Sequence, residues 1–143
     1  RVQKLYDLMV WVAVAVALPT TLFADWVILI LYGADFQEAA DVLKMYIWAG
    51  VFVSLGVASS KWLIAENLER YSFYSTLLGA ILNIVCNFYL IPIYGIRGAA
   101  IATLISYGTA AYLSMALFEK TRNNFWIATR ALNPYAVYLR ATR

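Results

Sequence analysis

Four apolar stretches alternate with short polar breaks along the 143 residues. Leu8 to Ala24 runs uncharged for 17 residues between Asp7 and Asp25, and Trp26 to Ala34 extends it. A membrane-spanning helix needs about 20 apolar residues, so the pattern predicts a first helix over about 8–31. The Val-Ala alternation from Val10 to Ala17 has a strand's period. A membrane strand, however, needs polar residues on its alternate positions, and both sets here are apolar. Helix is therefore the expectation, kinked at Pro19, with Thr20 and Thr21 bonding to carbonyls near the break. Tyr32-Gly33-Ala34-Asp35 reads as the exit turn, followed by an acidic connector of Asp35, Glu38 and Asp41. A second helix is predicted over about 42–64, with Lys44 and Lys61 near its ends and Gly50, Ser54 and Ala58 as a packing stripe. Glu66 to Arg70 forms a polar turn. A third helix is expected over about 72–90, with Ser75, Gly79, Asn83 and Asn87 on one face, and a fourth over about 98–118.

The break between the last two carries the most information. Pro92 lacks an N–H and disfavours helix in the residue before it, so the third helix is expected to stop near Leu90 to Ile91. Gly95 permits a tight reversal. Gly98, Ala102, Ser106, Ala110 and Ser114 then recur every fourth residue, a stripe of small side chains along which another helix can approach closely.

Composition turns these helices into a membrane bundle. The chain is 64% hydrophobic and 13% charged, about half the charge of a soluble domain, which cannot cover a water-facing surface. The fold class expected is an all-α integral membrane protein, a bundle of four transmembrane helices. Histidine is absent and Cys86 is the lone cysteine. That removes the common zinc sites and the Cys–His and Ser–His nucleophiles, and no catalytic residue, metal or cofactor is expected. The expected partners include membrane lipid and no nucleic acid. Residue 1 is arginine with no signal sequence before the first helix, so the chain reads as a piece of a longer protein. No Asn-x-Ser/Thr sequon occurs, which fits a bacterial inner membrane.

Charge sets the expected orientation. With four spans, Arg1, Lys4, Lys61, Arg70, Lys120, Arg122, Arg130, Arg140 and Arg143 fall on one side, and only Lys44 and Arg97 on the other. The basic side, with both ends of the segment, is placed in the cytoplasm. Residues 119–143 form a basic tail interleaved with Phe125, Trp126, Tyr135 and Tyr138. Pro134 argues against a fifth span, and an interfacial segment held by aromatics and anionic lipid is expected.

Two stretches carry a family resemblance. Tyr32-Gly33, then Ala39-Ala40 and Leu43, resembles a segment of bacterial polysaccharide flippases of the multidrug/oligosaccharidyl-lipid/polysaccharide exporter superfamily. Asn83-Ile84, Asn87, Leu90-Ile91-Pro92, Tyr94-Gly95-Ile96 and Gly98-Ala99-Ala100-Ile101-Ala102-Thr103 resemble that family's most recognisable stretch, in order and spacing. The resemblance corresponds to the C-terminal domain of such transporters. It implies an intact protein of about twelve helices in two lobes around a central cavity, with this segment completing the second lobe against an N-terminal lobe. It also implies a cargo, lipid-linked oligosaccharide on undecaprenyl pyrophosphate, flipped from the inner to the outer leaflet of the bacterial cell membrane.

The candidate substrate-binding residues are Lys61, Asn83, Asn87 and Arg97. Arg97 reads either as an interfacial cation or as a contact for pyrophosphate or an outer gate carboxylate. Lys61 can snorkel to the surface or face the cavity and attract a diphosphate. Asn83 and Asn87, one turn apart, suit interhelical hydrogen bonds or sugar hydroxyls. Asp25 reads as a helix-break or boundary residue, or else as a site of proton or cation coupling. Pro92, Gly95, Gly98 and Ala102 are structural. The alternatives are an exporter of drugs or other lipid-linked precursors, a membrane-bound glycosyl- or acyltransferase, and a non-transporting scaffold subunit.

Overall fold

The computed structural model describes residues 2–142, so Arg1 and Arg143, two of the cations used for orientation, lie outside it. Helix α1 spans Val2–Tyr32, α2 Gln37–Ala65, α3 Glu69–Tyr94, and α4 Ile96–Gly108. A π-helical turn, Thr109–Leu113, joins α4 to the short α5, Ser114–Leu117. The amphipathic α6, Arg122–Leu132, and α7, Pro134–Ala141, complete the chain. Four helical stretches are long and apolar enough to cross a membrane: α1, the run to the end of α2, α3, and α4 through α5. No strand occurs among the described residues.

The helices run longer than hydropathy predicts, because their ends continue through polar residues. The acidic connector supplies the first turns of α2, where Glu38 sits at the positive end of the helix dipole. Asn67 ends α2 in the left-handed region (φ 56°). There the Leu68 N–H bonds to the Leu63 carbonyl at 2.7 Å and the Asn67 N–H to the Ile64 carbonyl at 3.1 Å, a Schellman ending. Thr20 and Thr21 donate to the Val16 and Ala17 carbonyls in the turn that Pro19 disturbs, and α1 continues unbroken.

The expected stop before Pro92 does not occur. α3 carries Pro92 inside it and ends at Gly95, whose φ of 57° and N–H bond to the Ile91 carbonyl make the turn. Proline removes only its own N–H and crowds one carbonyl. Membrane helices tolerate this because neighbouring helices and local adjustments re-satisfy the backbone.

α1 packs on α2, α3 on α4, and α4 on α2, whereas α2 and α3 barely touch. The small-residue stripe is buried where expected, with Gly98, Ala102, Ser106 and Ser114 all enclosed. On α2 the expected stripe holds only in part, since Ala58 is fully buried in the core. Gly50 faces open space, and the close approach is at Gly56, whose Cβ position lies 3.4 Å from the Ala111 Cβ. On α3 only Gly79 is buried. A Cβ built there would sit 2.7 Å from the Ala110 Cβ and 3.2 Å from the Ser106 carbonyl oxygen. Gly79→Ala is therefore expected to cost about 1–2 kcal/mol, with most of the loss recovered on adding Ala110→Gly. Thermal unfolding in detergent reads this directly, and a harmless single substitution would contradict the close approach.

The apolar core lies at the tail end of the bundle, where Tyr6, Val10, Leu55, Trp62, Met115, Ala128 and Ala131 meet. The tail is docked on this core. Inside it, the Tyr6 hydroxyl donates to the Asn124 side-chain oxygen, and Asn124 Nδ2 donates to Ser59 Oγ at 2.7 Å. Nearer the surface, Trp11 Nε1 donates to the Ala131 carbonyl, and Arg140 grips Asp7 with two bonds of 3.0 Å. Asn133 caps α7 by accepting from the Tyr135 and Ala136 N–H groups, with Pro134 at the first helical position.

Candidate functional site

Because α2 and α3 splay apart, a cleft of about 740 Å³ opens between them, with α4 and the π turn as its third wall. Its α2 side carries Ser59, Ser60 and Lys61. Its α3 side carries Ser72, Ser75, Thr76, Gly79 and Asn83. The latter recur at three- and four-residue intervals, so one polar face of α3 points into the cleft. Large apolar side chains (Phe88 and Ile84, 74% and 70% exposed) lie on its other sides. Such a division gives hydroxyls and amides to the cleft and apolar surface to lipid or to further helices.

The four candidate residues separate. Lys61 and Asn83 both line the cleft; Asn87 and Arg97 do not. Lys61 lies four residues from the end of α2, and Asn83 fourteen residues into the antiparallel α3. The helical rise therefore puts them about 15 Å apart along the bundle. Lys61 has no ion-pair partner among the described residues, and Ser60 flanks it on the cleft wall. The expected interhelical hydrogen bond of the asparagines is absent among the described residues. Asn87 Nδ2 instead donates to Asn83 Oδ1 at 2.9 Å within α3, since side chains four residues apart share a helix face. Asn87 Oδ1 is left buried without a partner.

Arg97 belongs to a chain of charges at the opposite end from the tail. Its Nη2 lies 2.7 Å from an Asp41 oxygen and its Nε 3.9 Å from Glu38. Lys44 reaches Asp41 at 3.7 Å and both oxygens of Asp25 at 2.7 Å. The chain thus ties α1, α2 and α4 together. Asp25, read from sequence as a boundary residue or a coupling site, is paired with Lys44 here. These groups are partly exposed, so solvent screens each pair and the chain fixes register more than it adds stability. Sequence reasoning missed Ser60 and the Lys44 pairings. A hydroxyl next to Lys61 was the available signal for the first; the second needs the register of α1 on α2.

Two helical lengths agree between these charges. Asp7 to Asp25 is 18 residues of α1 and Lys44 to Lys61 is 17 residues of α2, about 27 Å and 26 Å of rise.

Comparison with known proteins gives one relevant similarity. Over 91 residues, 64% of this chain, it is 31% identical to a Haloferax volcanii protein described as "Probable low-salt glycan biosynthesis flippase Agl15". The match spans about a fifth (19%) of that protein's length. No family model matches the chain. No solved structure matches it either.

Proposed function

We propose that this segment is part of a transporter that flips a lipid-linked glycan across the cell membrane. The observation that carries the reading is the similarity to a glycan biosynthesis flippase, found in a chain with four helices fit to span a membrane. The cleft supplies a chemistry for it. A diphosphate needs a cation and hydrogen-bond donors at the membrane surface, and Lys61 with Ser60 and Ser72 offers both. Sugar hydroxyls need an amide deeper in, and Asn83 stands about 15 Å along the groove. An extended cargo can engage both; a small cation has no use for Lys61. A groove lined, among the described residues, by a lysine and no carboxylate disfavours the cationic-drug alternative, and one without histidine or paired acids disfavours a transferase.

In this reading the segment completes one of two lobes around a shared cavity, the second being an N-terminal lobe of the same protein. Both ends of the segment lie in the cytoplasm of a bacterial-type inner membrane. The carrier is a polyprenyl diphosphate such as undecaprenyl pyrophosphate. Arg97 serves packing through Asp41 in this scheme, and Asn87 supports Asn83.

The test is reconstitution of the full-length protein in vesicles loaded with fluorescent lipid-linked glycan, scored by quenching from outside. Lys61→Gln is expected to slow flipping about tenfold, and Lys61→Arg to retain most of it. If the wild-type protein moves no labelled lipid, the transporter reading fails. If Lys61→Gln flips at the wild-type rate, the residue assignment fails alone.

A further inference from the structure

We propose that the outward face of α6 is a binding site for the anionic phospholipid headgroups of the surrounding bilayer. One side of this helix is committed to the protein: Asn124, Ala128 and Ala131 are buried against α1 and α2. On the other side Arg122, Trp126 and Arg130 recur every fourth residue, and all three are exposed. Neither guanidinium has an ion-pair partner among the described residues, and Glu119 makes no pair with them.

The order cation, indole, cation suits a headgroup layer. A guanidinium donates two parallel hydrogen bonds to a phosphodiester. An indole 55% exposed on the same stripe rests at the depth where headgroup meets acyl chain. α7 continues the surface with Tyr135 and Tyr138, 70% and 66% exposed. An acidic protein segment would also pair with arginines, but the depth of α6 favours lipid. α6 follows the last apolar helix after a single short turn. Gln3 donates to the Ile127 carbonyl of α6, and Arg140 of α7 pairs with Asp7 while donating to the Arg130 carbonyl of α6, so α6 is held beside the start of the uncharged run of α1. The stripe therefore lies at the edge of the hydrocarbon. Asn124, on the reverse of the same helix, donates to Ser59 on the cleft wall, so headgroup and groove are held by opposite faces of one helix.

Each basic side chain near an anionic surface is worth about fivefold in binding, so losing both arginines should weaken headgroup association about thirtyfold. The test uses the full-length protein in nanodiscs of phosphatidylcholine mixed with phosphatidylglycerol, one lipid or the other carrying brominated chains. Bromine quenches indole on contact, and subtracting the signal of Trp126→Phe isolates Trp126 from the other four tryptophans. Quenching by brominated phosphatidylglycerol is expected to exceed that by brominated phosphatidylcholine. The excess should vanish in Arg122→Gln/Arg130→Gln and fade as salt is raised. Thermal unfolding confirms that the double variant is folded. Equal quenching by the two lipids, no quenching by either, or an excess that survives in the double variant each overturns the proposal. No glycan enters the measurement, so its outcome is independent of the transported cargo.

Discussion

Gly98→Ala is expected to lower the stability of the full-length protein by about 2–3 kcal/mol, and Gly98→Val by more. An alanine Cβ at this position would lie 2.3 Å from the Leu90 carbonyl oxygen and 2.6 Å from its carbon. Both atoms are backbone of α3, so no side-chain rotation can relieve the clash, and the two arms of the hairpin must move apart. Separation would also strip contacts from Ala102 and Ser106 further along the same face. Gly50→Ala is the internal control. Its Cβ meets nothing within 4 Å, and alanine in a helix interior is favoured over glycine by about 0.5–1 kcal/mol. Melting temperatures in detergent should therefore fall for one substitution and hold or rise for the other. Two variants that melt alike would refute the tight α3–α4 approach.

Asn124→Leu is expected to cost about 2–4 kcal/mol, because it strands the buried Tyr6 hydroxyl and leaves Ser59 with only the weak Met115 sulfur as partner. Tyr6 is fully enclosed and its hydroxyl has Asn124 as acceptor; Ser59 Oγ has Asn124 as donor. The penalty arises from orphaned polar atoms more than from lost volume. Adding Tyr6→Phe to Asn124→Leu should then restore about half the loss, although Tyr6→Phe alone destabilises the wild type. Thermal unfolding of the four proteins forms a double-mutant cycle. A strictly additive result would mean that the two side chains do not share a bond.

These two sites differ in how far they could be read from sequence. Gly98 announces itself, since small residues every fourth position admit few explanations in an apolar helix. The four spans were equally legible, because 17 uncharged residues in a row leave a chain little choice. The Tyr6–Asn124–Ser59 network joins residues 118 and 65 positions apart, and no local pattern encodes that. The tail shows the same limit. Its charge and aromatics predict an interfacial segment, but Asn124, Ala128 and Ala131 look unremarkable until α1 and α2 are in place against them. Pro92 misled for a local reason: proline rules weigh the lost hydrogen bond, and Gly95 three residues later is the stronger stop. Within the groove, the polar face of α3 was visible in its spacing. Lys61 shares the groove, whereas Asn87, one turn beyond Asn83 on the same face, and Arg97, in the first turn of α4, stand outside it; how far the groove extends along the helices is something hydropathy leaves free.

The matched intervals between charges on α1 and α2 have a consequence for the kind of membrane this chain fits. Asp25–Lys44 and Asp7–Arg140 fasten the bundle at two levels, and about 27 Å of helix rise separates them on α1. An acyl layer of that depth meets the protein without distortion. One about 5 Å deeper must thin locally or draw the ion pairs toward hydrocarbon, at a fraction of a kcal/mol per Å. Hydrophobic matching thus favours an acyl layer close to that depth, and the two levels of paired charge act as its gauge.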